Sequence, residues 1–359
     1  RLESGFIGPA EGWAVDRIGP RKLMLIGIPL MGLGFVSLYW VNGLTTFLIA
    51  YVLGVTLGNS LGMHTPVSAA VANWFNKKRG LAFGIMWSGV GIGGVFVPLL
   101  GWAVSEFGWR QAALYTGIFV VIAGLPVAAI IRHRPEQYGL LPDGATPTED
   151  SVGKDGKSLK VDLSKDHTAR EALRTSSFWF LSLSIAARSL VSGGVGLHLV
   201  PYFIGLGASP VQAATYAGSV GIMSIPGRFG LSFLGDFLNR RYTMAACLFL
   251  MTIAILMLSG ADSIRDAVPA MIIYSVSQGG ISVIPQALIA DYFGRRAFAT
   301  ITGFRSTIQM TGIIIGPIVS GYMYDKNGSY ELAFIGFAGA AVLSLALVLM
   351  AFPPKNLQR

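Results

Sequence analysis

The chain has 359 residues, of which 53% are hydrophobic and only 13% charged, with 46 glycines; so few charges cannot clothe a soluble protein of this size. A net charge of +9 would suit a nucleic-acid partner, but the basic residues stand in short clusters between apolar runs, with no stripe interleaved with aromatics. The single cysteine, Cys247, excludes an intramolecular disulfide and any multi-cysteine metal or redox centre.

A helix that crosses a bilayer needs about 20 mostly apolar residues for roughly 30 Å of hydrocarbon. On that rule residues 1–15 read as the tail of one span, ending in the charged turn Gly12-Trp-Ala-Val-Asp16-Arg17-Ile-Gly19-Pro-Arg21-Lys22. Four further spans follow at 23–41, 46–72, 81–104 and 111–131. Residues 132–175 hold eight Lys/Arg and eight Asp/Glu and read as a flexible connector. Six more spans then occupy 177–204, 210–234, 242–260, 267–290, 297–323 and 331–352. The expected fold is an all-α polytopic membrane protein: an N-terminal helical bundle at 1–131, a connector at 132–175 and a C-terminal bundle at 176–359.

Basic residues favour the cytoplasmic side of a membrane. Twenty Lys/Arg fall in the connections on one side, the connector and C-terminus included, and only Arg110, Arg265 and Lys326 on the other. The connector and the C-terminus are therefore expected in the cytoplasm, and the chain in the plasma membrane.

The two parts repeat one another. Asp16 and Asp236 lie 220 residues apart, as do Arg21 and Arg241, and Pro98 precedes Pro317 by 219. Ala72-Asn-Trp-Phe-Asn-Lys-Lys-Arg79 reads like Ala290-Asp-Tyr-Phe-Gly-Arg-Arg296. A charged corner repeated at half-chain distance is a transporter signature. With six spans in the second part and five in the first, about 30–45 residues are expected upstream of Arg1, a helix and its turn.

The turn from Gly12 to Lys22 resembles the loop motif of the major facilitator superfamily, and the six-plus-six plan around a long connector fits it. The stretch from Arg132 through Gly139 to Gly144, and Ala172-Leu-Arg-Thr-Ser-Ser-Phe178-Trp, resemble segments of the monocarboxylate-transporter and oxalate/formate-antiporter group within that superfamily. The resemblance implies two six-helix bundles related by pseudo-symmetry, alternating access, and no cofactor. It also implies that Asp16 closes the cytoplasmic side by sitting against the start of the eleventh span, where a helix N-terminus offers unpaired N–H groups. Asp16, Arg17, Arg21, Asp236 and Arg240 are the gating candidates.

Three arginines fall at mid-depth of predicted spans: Arg188, Arg228 and Arg305. A lone arginine there costs at least about 2.5–3.5 kcal/mol, and no acidic residue of the second part lies at the same depth. A bound anion is the natural counter-charge. In the resembled group an eighth-span arginine grips the substrate carboxylate, four residues after an aspartate; here Ser224 stands in the aspartate's place before Arg228. Arg228, Arg305, Arg188 and Ser224 are the substrate-binding candidates, and Glu3 the candidate for proton coupling. His64 and His198 are solitary, without metal spacing, and read as packing residues. Glycines at Gly54, Gly58 and Gly62, and at Gly89, Gly93, Gly94 and Gly101, read as faces for close helix approach. No Gly-x-x-x-x-Gly-Lys-Ser loop is present, so hydrolysis of ATP by this chain is not expected. The expected function is a secondary carrier of a small organic anion in the lipid bilayer, with protons or a counter-anion as co-substrate. A carrier of drugs or sugars, or a non-transporting sensor on the same fold, are the alternatives.

Overall fold

The structure, a computed structural model, describes residues 2–93, 96–145 and 166–354. In chain order the helices are α1 (Leu2–Ile18), α2 (Pro20–Ser37), α3 (Leu44–Ile49), α4 (Leu57–Asn59), α5 (Thr65–Trp74), α6 (Arg79–Gly93), α7 (Val97–Phe107) and α8 (Trp109–Ile130). The short α9 (Ala169–Leu173) leads into α10 (Ser176–Gly205), α11 (Pro210–Met223), α12 (Ser232–Phe237), α13 (Arg240–Ser259), α14 (Ile264–Phe293), α15 (Phe298–Asn327) and α16 (Glu331–Met350). π-helical segments at Ala50–Thr56 and Ser60–His64 join α3, α4 and α5 into one rod. Another, Gly227–Leu231, joins α11 to α12 beyond a break at Ser224, where Pro226 has no N–H to continue the ladder.

Local signals set the ends. Gly19 has φ 95° and Pro20 opens α2, so the Gly-Pro pair turns the chain where only glycine adopts the backbone freely and proline starts a helix without losing a bond. Capping boxes start α9, from Thr168 to Glu171, and α11, from Ser209 to Gln212.

Among the described residues seven helical rods are long and apolar enough to cross a membrane. The spans expected from sequence that do not pass that test are α1, α6 with α7, α11 with α12, and α15. These four form the two crossing pairs that join the halves: α1 lies along α15, and α6 along α11, α12 and the π-turn between them. As described helices α1, α6, α7, α11 and α12 are short, at 17, 15, 11, 14 and 6 residues, whereas the 30-residue α15 is long enough and carries polar residues along its length, Thr300, Thr302, Arg305, Ser306 and Gln309 among them.

Glycine sets those crossings. A Cβ on Gly12 would stand 2.1 Å from the Ala299 carbonyl oxygen, and one on Gly303 2.2 Å from that of Gly8. At the equivalent crossing, a Cβ on Gly80 would meet the Ser232 carbonyl at 2.3 Å and one on Gly84 the Arg228 carbonyl at 2.6 Å. Gly54, Gly58 and Gly62 face Gly34, Met31 and Gly27 of α2 in the same way, the close approach that replaces a hydrophobic drive in lipid.

The α6–α7 glycines differ from the sequence reading. Gly89, Gly93 and Gly101 have nothing within 4 Å of a Cβ position, and Gly94 lies outside the described residues. Close packing on this rod is carried by Gly80 and Gly84 at its other end, and by Gly91, which lies between Gly89 and Gly93 but turns toward Ile225 and the Gly221 carbonyl. The halves thus meet at the end that carries the basic turns and part at the opposite end, where Gly196, Gly218 and Gly221 also face open space. At the basic end one buried apolar layer crosses both halves, with Val15 and Phe83 against Ala287, Phe293 and Phe298. The larger second-half core runs from Leu181 and Tyr202 to Phe334 and Phe337.

Gly12→Ala tests the crossing. With only main-chain atoms in the way, α1 and α15 must separate, a cost of about 1–3 kcal/mol for overpacking. Cys247 is fully buried and the sole thiol, so its reaction with a thiol dye on heating reports unfolding. The variant is expected to react several degrees below wild type; an unshifted transition would refute the contact.

Candidate functional site

At the basic end, two carboxylates close the halves onto each other. Asp16, at the end of α1, accepts the main-chain N–H groups of Ala299 (3.1 Å) and Thr300 (2.8 Å) and the Thr300 hydroxyl (2.6 Å). Asp236, at the end of α12, accepts those of Gly80 (2.7 Å) and Leu81 (2.9 Å). The first turn of a helix has N–H groups with no partner of their own and a positive dipole end, so each carboxylate of one half caps a helix of the other. Residues 80 and 81 match 299 and 300 at the same 219-residue spacing as the sequence repeat, so the internal symmetry exchanges the two caps.

Charge pairs surround the second cap. Arg240 bridges Asp236 (2.5 Å) and Asp291, and Arg79 meets Asp291 at 2.5 Å. Arg17 instead lies over the Trp13 ring, 5.2 Å from its centroid, and Arg21 is half-buried at the start of α2; neither joins an ion pair among the described residues.

The described ends of the connector are held to this closure, unlike the flexible segment that the sequence suggests. Asp143 accepts the N–H groups of Asn76 (3.0 Å), Lys77 (2.7 Å) and Lys78 (3.3 Å) ahead of α6, and adopts φ 59° to do so. Asp166 accepts those of Arg295 (2.8 Å) and Arg296 (3.1 Å) ahead of α15. Arg295 also pairs with Glu136 at 2.9 Å and donates to the Asn73 carbonyl across the halves. His133, beside Gly19, keeps a neutral ring because burial pulls its pKa down to about 4. Removing the Asp143 carboxylate leaves three turn amides without that acceptor. Asp143→Ala is expected to raise proteolytic cleavage within 76–78 several-fold, as loss of a cap of roughly 1 kcal/mol implies, and an unchanged digestion rate would count against the anchor.

Above this closure a cavity of about 830 Å³ lies between the halves. Its first-half wall includes Glu11, Ser60, His64 and Trp87, its second-half wall Arg188, Gln278, Gln286 and Arg305. Arg188 is 8% exposed and donates to Ser192 and to Gln278, each at 3.3 Å. Arg305 is 5% exposed; its Nη2 reaches the Ser306 hydroxyl at 3.4 Å, and among the described residues no carboxylate comes within ion-pair distance of it. The main-chain contact of Gly8 with Gly303 is part of the lining where the two halves meet.

Of the three mid-depth arginines the structure therefore brings two into the cavity wall. The third, Arg228, is not among the lining residues; on the π-turn of the eighth rod, it donates through Nη1 to the main-chain carbonyl of Trp87. Ser224 is buried, donates to the Gly221 carbonyl at 2.7 Å and ends α11, so it too lies outside the wall. The Glu3 side chain lies outside the described residues. His198 bonds the Tyr330 hydroxyl and the Pro317 carbonyl, whereas His64 reaches the cavity and sits edge-on to Trp87, 5.0 Å between ring centroids.

Glu11 is the residue that sequence reasoning passed over. It is 3% exposed and accepts the Ser60 hydroxyl at 2.5 Å. Its signal was available: an acidic residue five positions before Asp16, about 7.5 Å deeper along the helix. Among the described residues no group of three or more His, Cys, Asp or Glu side chains is placed to hold a metal ion.

Two helical halves that repeat each other, capped together at one end around a polar central cavity, define a polytopic membrane transporter scaffold. The chain belongs to the Major Facilitator Superfamily, whose family profile matches residues 4–284 and 206–359. It is 25% identical over 357 residues to monocarboxylate transporter 13 of Rattus norvegicus, covering 97% of this chain and 77% of that one. To the oxalate:formate antiporter of Oxalobacter formigenes it is 25% identical over 354 residues, 96% of this chain and 78% of the relative. The fold superposes on the fucose:proton symporter of E. coli with a TM-score of 0.75 at 13% identity, covering 98% of this chain and 89% of that one.

Proposed function

We propose that this integral membrane transporter carries a small organic anion, a monocarboxylate or an oxalate- or formate-like acid, by alternating access. The observation that carries the reading is Arg305: a guanidinium in the wall of a central cavity, buried, and with no carboxylate in reach among the described residues. Such a charge is costly in a low-dielectric interior unless a partner arrives, and a carboxylate fits the planar fork through two parallel hydrogen bonds. Arg188 supplies a second cation in the same wall of the cavity. Both relatives named above are carriers of small carboxylates by name, which supports the same class.

In this reading residues 1–131 and 176–359 rock as two bundles about the bound anion, and the connector tethers them. The basic end faces the cytoplasm, following the distribution of Lys and Arg, so the described conformation is closed to the cytoplasm and its cavity faces outward, in the plasma membrane. Asp16 and Asp236 gate that end, with Arg240 holding Asp236 in place and Arg17 and Arg21 flanking the turn. Arg228 belongs to the same path one step from the cavity: it holds the carbonyl of Trp87, itself a wall residue, and joins the anion as α6 shifts. Symport with protons and exchange for a counter-anion both fit a cavity of this charge.

Proteoliposomes containing the purified protein, offered labelled formate, oxalate, lactate and a neutral sugar, test the class. Saturable uptake of at least one carboxylate, and none of the sugar, is the expected result. Uptake of the sugar with every carboxylate excluded would refute the anion reading.

A further inference from the structure

Two glutamines of α14, Gln278 and Gln286, line the cavity, and their amide oxygens are met differently. The oxygen of Gln278 accepts from the Arg188 guanidinium at 3.3 Å and from the Ser192 hydroxyl at 3.1 Å. That of Gln286, two turns further along and in a side chain only 2% exposed, has no hydrogen-bond donor among the described residues. Resting on the anion reading above, we propose that the cargo is a short hydroxy acid and that Gln286 determines this specificity by accepting the hydrogen bond of its hydroxyl.

Donors and acceptors decide the class. Other buried polar atoms of this wall without a partner among the described residues include the Nε of Arg305 and the hydroxyls of Ser189 and Thr302. All of these can donate, so a carboxylate, which only accepts, satisfies them. It cannot satisfy an amide oxygen. A buried acceptor left unmet is costly, so the cargo that fits best brings a donor as well as a charge. Pro285 adds to the demand, because it has no N–H to give to the Ile281 carbonyl one turn back, and both of these residues line the cavity. A hydroxyl supplies the donor without a charge. An ammonium group would supply one too, but Arg188 and Arg305 in the same wall repel a cation.

Depth agrees with this pairing. Gln286 lies seven residues before Phe293, the last of α14, and Arg305 seven after Phe298, the first of α15, which puts each about 10 Å along its helix from the basic end. A molecule whose carboxylate lies on Arg305 therefore holds its remaining atoms at the depth of Gln286.

Four three-carbon acids, all monoanions near neutral pH, test the assignment. Lactate and 3-hydroxypropionate carry a hydroxyl on successive carbons, propionate lacks it, and the keto oxygen of pyruvate can only accept. Their binding to purified protein is compared for wild type, Gln286→Leu and Gln286→Met. The wild type is expected to bind at least one hydroxy acid roughly tenfold more tightly than propionate or pyruvate, the effect of meeting a buried acceptor. In both variants that preference is expected to vanish, with propionate bound at least as well as by wild type. No preference for either hydroxy acid in the wild type, a pyruvate affinity equal to theirs, or a preference that persists in either variant would each overturn the assignment. Formate and oxalate are measured alongside. If the wild type binds either of these and none of the four, the hydroxy-acid class falls while the anion reading stands; if it binds none of the six, both fall.

Discussion

Replacing Arg305 with glutamine is expected to weaken carboxylate binding roughly ten- to hundredfold, the loss of one charge-assisted interaction of about 1.5–3 kcal/mol. The side chain is buried in the cavity wall and has only the Ser306 hydroxyl, at 3.4 Å, as hydrogen-bond partner among the described residues. Glutamine keeps much of the length and removes the charge. Arg305→Lys keeps the charge and loses the two-pronged geometry, so it should fall between the two. Removing a cation that no described carboxylate neutralises relieves a burial cost, and the Cys247 thiol should therefore stay protected to the same temperature as in wild type. Wild-type affinity of Arg305→Gln for every carboxylate would make Arg305 structural.

The second large effect lies at the gate. Asp16→Asn retains a hydrogen-bond acceptor but gives up the charge at the N-terminus of α15, where the carboxylate holds two main-chain N–H groups and the Thr300 hydroxyl. Weakening one charge-assisted contact shifts the balance between closed and open forms of the basic end roughly tenfold. Ala69 is buried in the apolar layer behind the gate, so a cysteine placed there, with Cys247→Ser, reports opening. Its modification by a small thiol reagent should speed up about tenfold in Asp16→Asn. Because the repeat exchanges the two caps, Asp236→Asn should behave alike. An unchanged rate in both variants would remove the caps from the mechanism.

The spans of the fold were open to reading because their cause is local: a helix that meets lipid must be apolar along its length, and the positions of α2, α8, α10, α13, α14 and α16 follow from that. The repeat of 218–220 residues carried the relation between the halves, since Asp16 and Asp236 stand at corresponding corners. Depth along a helix was also legible, which is why Arg188 and Arg305 could be placed at mid-span from rise per residue alone.

Direction around the helix was not legible. Arg228 sits at the depth of the other two arginines, yet the π-turn at Gly227–Leu231 changes the helical register there, and the guanidinium ends on the Trp87 carbonyl. Periodicity of 3.6 assumes an unbroken helix and cannot see such a turn. The glycines of α6 and α7 raise a related difficulty: spacing along the helix does not say which of them meets a neighbour, and among the described residues these are Gly80, Gly84 and Gly91. The roles of Asp143 and Asp166 depend on partners more than 60 and nearly 130 residues away in the chain, and no local pattern announces them beyond a turn sequence at Pro142-Asp143-Gly144.

A structure with bromoacetate shows whether an anion sits between Arg188 and Arg305, because the bromine is located by its anomalous scattering. A bromine peak is expected inside the cavity, with the carboxylate within hydrogen-bonding distance of both guanidinium groups, and its loss is expected in Arg305→Gln. A peak outside the cavity, or an equally strong one in the Arg305→Gln protein, would contradict it.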